Sequence, residues 1–187
     1  PRLEEAAYSQ PGVAVESTAP SSSLRDSSSS STQPAKAADA LPESAVPASS
    51  EKLSFVLPIN GEIFAEYSNG QLTRNETLGD WRTHNGIDIK AAEKTSIKAV
   101  TGGEITMVAP DPLWGNVVEI KHAGGLVSRY CGLDKDIPVH KGDTVKTGQV
   151  IGTLGYVPAE NLSPSHLHFE MKKDGKWVDP ILTMGKK

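Results

Sequence analysis

The chain has 187 residues, a formal net charge of −4 and a single cysteine, and 37% of its residues are hydrophobic. This length suits one domain of ordinary size with an extension. The mildly acidic balance excludes a nucleic-acid binder with a basic surface stripe, so we expect no nucleic-acid partner. One cysteine excludes an internal disulfide and a zinc module built on several thiols.

Residues 1–50 differ in composition from the rest of the chain. They contain 13 serines, 10 alanines and 6 prolines, and Tyr8 is their one aromatic residue. Such a segment cannot bury enough apolar surface to offset the entropy lost on ordering. We therefore predict a disordered tether over 1–50 and a folded domain over 51–187. A Ser/Ala/Pro-rich tether is typical both of a segment just outside a membrane anchor and of an interdomain linker, and composition leaves the two open. Because the sequence begins at proline rather than methionine, we expect its true N-terminus to be missing.

From residue 55 onward, the sequence pattern predicts short strands separated by turn-forming residues, with no helical period of ten residues or more. In chain order, strands are predicted over 62–67, 87–90, 96–99, 103–109, 116–121, 126–130, 144–145, 150–154, 166–172 and 177–178. Gly124-Gly125 and residues 173–176 predict hairpin connections. We therefore predict an all-β domain with a mostly antiparallel sheet.

Two short motifs combine histidines with carboxylates. Residues 84–88 have the sequence HNGID, and residues 166–170 have the sequence HLHFE. Alternate residues of a strand face the same side of a sheet. His166 and His168 are therefore expected to lie side by side, with the two apolar residues of the second motif facing the core.

His84 and Asp88 are too far apart to share one ion along a straight strand, but a turn at Asn85-Gly86 would bring them together. Two imidazoles and one carboxylate form a three-ligand zinc set whose fourth position is open for water or a partner. The alternative is a pair of surface histidines beside an ordinary turn. His122 and His140 stand beside turns, so we expect them to be solvated and assign them no role.

On these two motifs the chain resembles the LytM or lysostaphin-type zinc endopeptidases, from about residue 55 to residue 180. The first motif is similar to their His-x-Gly-x-Asp and the second to their His-Leu-His-Phe-Glu. The resemblance implies a β-sheet domain with a groove, which cleaves peptidoglycan cross-bridges with one zinc ion per chain. It also implies that His84, Asp88 and His168 are the zinc ligands and that His166 is a catalytic histidine near the bound water.

One position departs from that family. Its members have a second catalytic histidine in a Tyr-x-His-Leu segment, where this chain has Gly132. Losing one acid–base group forfeits roughly 10²–10⁴ in rate. The adjacent Cys131 is not expected to replace it, because neighbouring strand residues face opposite sides of a sheet. We expect this cysteine to be a small buried hydrophobic residue.

Within the family, the chain resembles degenerate members that act in endospore formation. This narrower resemblance rests on the missing histidine, the Ser-rich tether and the run 77–84. It implies a single-pass protein of the forespore membrane whose domain faces the space between two membranes. There the domain would bind the ectodomain of stage III sporulation protein AH and form a channel or scaffold for engulfment.

Two classes of function stay open on the sequence. A binding module that keeps zinc but has lost turnover is favoured by Gly132. A zinc-dependent peptidoglycan endopeptidase is favoured by the intact His84, Asp88, His166 and His168, and peptidoglycan is then a second ligand to consider. A third alternative is that the ligand residues are relics that hold no metal.

Overall fold

A computed structural model describes residues 53–186, so the tether predicted over 1–50 lies outside the described residues. In this range there are twelve strands and one single-turn helix. They are β1 (Glu62–Ala65), β2 (Leu72–Asn75), β3 (Asp80–Thr83), β4 (Gly86–Lys90), β5 (Ser96–Lys98), β6 (Gly103–Asp111), β7 (Gly115–Lys121), β8 (Leu126–Leu133), β9 (Thr144–Val145), β10 (Val150–Thr153), β11 (His166–Lys173), β12 (Lys176–Val178) and α1 (Pro180–Thr183). The all-β prediction is confirmed. Between residues 53 and 186, the helical content includes nothing of the length and apolar character that a membrane span requires.

Every strand predicted from the sequence is present in the structure, but β2 and β3 were not predicted. These two strands pair with each other as a separate two-stranded sheet, from Leu72 opposite Thr83 to Asn75 opposite Asp80. Most of their side chains are exposed on both faces. A strand with no buried face has no alternation of apolar and polar residues, so the pattern that predicts other strands is absent here.

The other strands form one large antiparallel sheet and one small one. The order in the large sheet is β1-β4-β11-β8-β7-β6-β9, with β12 also paired to β11. The small sheet is the antiparallel pair of β5 and β10. The predicted antiparallel arrangement is confirmed, and the two strands that carry the histidine motifs, β4 and β11, are neighbours in the large sheet.

The register between β4 and β11 places Asp88 directly opposite His168. Gly86 allows this approach, because a Cβ atom there would lie 2.4 Å from the carbonyl oxygen of Phe169. The prediction of a turn at Asn85-Gly86 is wrong, because Gly86 already belongs to β4. Only two residues without regular structure, His84 and Asn85, form the break between β3 and β4. His84 lies in that break, which lets its ring fold back over the sheet.

The core lies on the opposite side of β11 from its histidines. Leu167 and Phe169 are fully buried there, as predicted, and Phe169 packs against the ring of Tyr130 with centroids 5.1 Å apart. Ile97 of β5 and Ile151 of β10 belong to the same buried cluster. The small sheet therefore covers this core, and the other face of β11 carries the polar site.

His122 was predicted to be solvated, and this is wrong, whereas the side chain of His140 is 84% exposed. The buried ring of His122 lies with Nδ1 2.9 Å from the carbonyl oxygen of Gly102 and Nε2 2.7 Å from the hydroxyl of Ser128. The hydroxyls of Ser128 and Tyr130 are 3.1 Å apart. A neutral imidazole fits this chain of hydrogen bonds, and burial lowers the pKa of His122 accordingly.

Candidate metal centre

The two motifs meet where β4 and β11 pair, and their side chains present ligand atoms to one another. His84 Nε2 lies 3.1 Å from Asp88 Oδ1 and 3.3 Å from His168 Nδ1. Asp88 Oδ1 lies 2.8 Å from His168 Nδ1. A fourth residue, Glu160, places Oε2 3.4 Å from His168 Nδ1. One ligand atom from each of the four residues lies within 4.8 Å of the others.

Neighbouring acceptors orient the two imidazoles. His84 Nδ1 lies 2.7 Å from the carbonyl oxygen of Glu66 and donates to it, which leaves the Nε2 lone pair facing the cluster. His168 Nε2 is buried 3.5 Å from Glu170 Oε1, and Arg129 holds that carboxylate through a 3.0 Å hydrogen bond. A hydrogen bond such as the one made by His84 Nδ1 fixes the tautomer of a metal-ligating histidine. The converging lone pairs and carboxylates therefore fit a divalent cation such as zinc.

When no cation is bound, the histidines of the cluster attract protons more strongly, whereas Asp88 stays ionised. Burial acts to raise the pKa of Asp88, but hydrogen bonds from His168 and His84 outweigh it and hold that pKa below its usual range. Burial acts to lower the pKa of His168, but contacts with Asp88 and Glu160 raise it well above 6.5. A metal ion must displace these protons, so its affinity is expected to increase with pH.

His166 lies beside the cluster rather than in it. Its Nδ1 donates to the carbonyl oxygen of Pro164 at 2.6 Å, and its Nε2 lies 2.9 Å from Glu160 Oε2 and 4.0 Å from Asp88 Oδ1. Burial acts to lower the pKa of His166, but the hydrogen bond with Glu160 and the charge of Asp88 raise it. In the predicted catalytic role, Nε2 of His166 would face a bound water, but here it faces the carboxylate of Glu160.

Position 132 has no room for a side chain. Gly132 has a φ of +81°, and a Cβ atom there would lie 2.5 Å from Val157 Cγ2. The backbone around it is also engaged, because Gly132 donates to the carbonyl oxygen of Trp114 at 2.8 Å. Residues 155–160, which we call the covering loop, therefore fill the space in front of Gly132. Cys131 is fully buried, and burial raises the pKa of its thiol to about 12.

Glu160 was not predicted as a member of the cluster. This residue ends a 3₁₀ turn, Pro158–Glu160, inside the covering loop and outside both motifs. Its position depends on the path of that loop, and no residue pattern signals it. Conversely, the structure brings together all the predicted site residues, His84, Asp88, His166 and His168.

A groove of about 320 Å³ opens above the cluster. Its floor includes His84, Asp88 and Glu160, and Phe64 and Trp114 contribute apolar walls. Trp114 also stacks on His168 with ring centroids 4.3 Å apart and an interplanar angle of 28°. The predicted groove is therefore present, and it gives direct access to the candidate ligands.

Comparison with known proteins agrees with this geometry. The chain is 38% identical to stage II sporulation protein Q of Bacillus subtilis (strain 168) over 103 residues, which cover 54% of this chain and 36% of that relative. A chain in the structure of the SpoIIQ-SpoIIIAH pore forming complex superposes with a TM-score of 0.62 and 28% identity, covering 71% of this chain and 91% of that one. The expected resemblance to sporulation members is thus confirmed.

Active peptidases show the same fold. The catalytic domain of lysostaphin from Staphylococcus simulans superposes with a TM-score of 0.57 and 26% identity, covering 68% of this chain and 94% of that one. Peptidase family M23 matches residues 82–180, which include both histidine motifs and the covering loop. This match extends over more than half of the chain, and the chain therefore belongs to peptidase family M23.

Proposed function

We propose that this chain is the extracytoplasmic part of a single-pass forespore membrane protein that binds the ectodomain of stage III sporulation protein AH. Its M23 domain lies in the space between two membranes, holds zinc and takes part in a channel or scaffold during engulfment. The similarity to stage II sporulation protein Q and to a chain of the SpoIIQ-SpoIIIAH complex supports this assignment. The matched residues amount to about a third of that relative's length.

The observation that carries the proposal is the filled space at Gly132. An M23 peptidase needs an acid–base side chain there, and the resemblance gives that role to a histidine. In this chain, Val157 occupies the space that the first side-chain atom would need. His166, the surviving candidate, is paired with Glu160. A domain with neither group free retains the peptidase fold without its proton-transfer machinery.

The proposed zinc ligands are His84, Asp88 and His168. When bound in an open site, zinc lowers the pKa of a water ligand to about 7 and so makes a nucleophile available. In this domain the ligands come from β4, from the break before it and from β11. The same ion would therefore cross-link two paired strands, β4 and β11.

A zinc-dependent peptidoglycan endopeptidase is the second candidate. All four family residues that the chain retains lie together, and two of them, His84 and Asp88, line an open groove, as a hydrolase requires. The fold it shares with the catalytic domain of lysostaphin supports the same alternative. Under this alternative, peptidoglycan is the substrate and His166 is essential to turnover.

A paired measurement on wild type and His166→Ala separates the two candidates. We expect both proteins to bind the stage III sporulation protein AH ectodomain with the same Kd in calorimetric titrations at fixed salt and zinc. We expect neither to release fragments from purified peptidoglycan, with an active lysostaphin-type peptidase as the positive control. Absence of binding by wild type contradicts the sporulation assignment. Zinc-dependent release that His166→Ala abolishes establishes the hydrolase instead.

A further inference from the structure

Backbone hydrogen bonds attach the covering loop to the end of β8 and to the turn between β6 and β7. Gly155 donates to the carbonyl oxygen of Gly132, and Ala159 donates to that of Leu113, each at 2.8 Å. Such backbone hydrogen bonds fix both ends of the loop. Its path, and therefore the direction of the Glu160 side chain, is set by the sheet beneath it.

Two glycines make room for this loop. A Cβ atom at Gly115 would lie 2.3 Å from the carbonyl oxygen of Tyr156, and one at Gly132 would lie 2.5 Å from Val157 Cγ2. Both glycines have positive φ, which other residues adopt only at a cost. A histidine at position 132 would therefore require Val157 and the loop to shift. The absence of the catalytic histidine and the placement of Glu160 thus belong to one structural change.

Glu160 is buried, with only 9% of its surface exposed, and it points at the metal cluster. Its Oε2 lies 3.4 Å from His168 Nδ1. One of its carboxylate oxygens also lies within 4.8 Å of the ligand atoms of His84 and Asp88. A carboxylate buried at such a site needs cationic partners to offset its desolvation, and His166, which donates from both ring nitrogens, is one of them. The hydrogen bond from His166, at 2.9 Å, holds the carboxylate in this orientation.

We propose that Glu160 is a fourth protein ligand, which closes the zinc site to water and makes the ion structural. This inference rests on the zinc site of the proposed function and adds the residue that removes its open position. Catalytic zinc sites have three protein ligands and an exchangeable fourth position, whereas structural sites have four. With Asp88 and Glu160 both bound, the charge of Zn²⁺ is balanced, which suits a buried centre. His166 acts as a positioning residue for Glu160.

The cobalt-substituted protein tests whether the fourth position is open. We expect the visible spectrum of cobalt-loaded wild type to be unchanged by millimolar acetohydroxamate, because no exchangeable position remains. The spectrum of Glu160→Ala is expected to shift on the same addition. Glu104→Gln, a change at an exposed glutamate on β6, serves as the matched control and should behave as wild type. A wild-type spectrum that shifts as readily as that of Glu160→Ala overturns the proposal.

Zinc affinity gives a second readout that needs no activity. In competition with a chromophoric chelator, we expect Glu160→Ala to bind zinc at least tenfold more weakly than wild type, while circular dichroism shows the same fold. Equal affinities overturn the proposal and leave Glu160 as an ion-pair partner of His166. A wild type that binds neither metal overturns the zinc site as a whole. The partner titration is a separate measurement, so failure of the sporulation assignment is distinguishable from failure of this ligand.

Discussion

A side chain at position 132 would both strain the backbone and collide with a neighbouring residue. Comparing Gly132 with Gly148 separates these two costs. Gly132 and Gly148 have φ values of +81° and +78°, but only at Gly132 would a Cβ atom collide with a neighbour, Val157. We expect Gly148→Ala to lower the free energy of unfolding by about 1 kcal/mol through backbone strain alone. Gly132→Ala is expected to cost about 2–4 kcal/mol, because overpacking adds to strain. Urea unfolding of both variants measures the difference.

A double variant checks the steric part of this prediction. Combining Gly132→Ala with Val157→Ala should recover part of the loss, because the Cγ2 atom that causes the collision is removed. For the same reason, Gly132→His is expected to destabilise the domain and to restore no turnover. Equal costs for Gly132→Ala and Gly148→Ala would show that the covering loop moves to accept a side chain and that Val157 does not block position 132.

The thiol of Cys131 provides a chemical test of the same region. Burial raises its pKa to about 12, so almost no thiolate is present at pH 8. We expect no reaction with Ellman's reagent in the native protein over an hour and one reactive thiol per chain in denaturant. Rapid stoichiometric reaction of the native protein would mean that Cys131 is accessible beside the groove and would reopen its candidacy as an acid–base substitute.

At the scale of elements, the alternation of apolar and polar residues correctly predicted strands that have a buried face. The alternation in β11 correctly placed Leu167 and Phe169 in the core. Strands β2 and β3 escaped prediction because neither face is buried, and Glu160 escaped because a loop path depends on long-range packing. His122 was misjudged for a related reason: turn residues beside it suggest solvent, but the fold encloses its ring.

The buried ring of His122 predicts an acid-sensitive step in stability. Because burial lowers its pKa in the folded state, its contribution is fully present above the unfolded pKa of about 6.5 and is lost as pH falls through the folded pKa. We expect the free energy of unfolding of wild type to decrease more steeply between pH 6.5 and 5 than that of His122→Gln. The difference in slope is at most about 1.4 kcal/mol per pH unit. Urea titrations with chelator present measure it.

Tyr130→Phe is the control for this pH effect. It removes one hydroxyl from the same hydrogen-bonded chain but keeps the titrating imidazole. The variant should be less stable than wild type at every pH and retain the wild-type slope. Identical slopes for wild type and His122→Gln would contradict the prediction and would mean that the ring stays solvated or protonated in the folded state.

At the scale of the whole molecule, the candidate ion joins two strands that are already paired. β4 and β11 share a continuous antiparallel register, and the buried cluster on the other face of the sheet draws on both sheets. A domain with its own apolar core does not need a metal to fold, unlike a small zinc finger. Zinc should therefore add stability to a formed structure rather than create the structure.

Removal of zinc is accordingly expected to lower the melting temperature while leaving the far-ultraviolet circular dichroism spectrum unchanged. Free zinc at 1,000 times its Kd should contribute about 4 kcal/mol, and the gain should increase from pH 6 to pH 8 because metal displaces protons from the histidines. His84→Ala should gain less stability from zinc than wild type does at the same zinc concentration, because one ligand is lost. Loss of the folded spectrum on chelation would make the ion essential to the fold. A His84→Ala protein with the full zinc response would remove His84 from the ligand set.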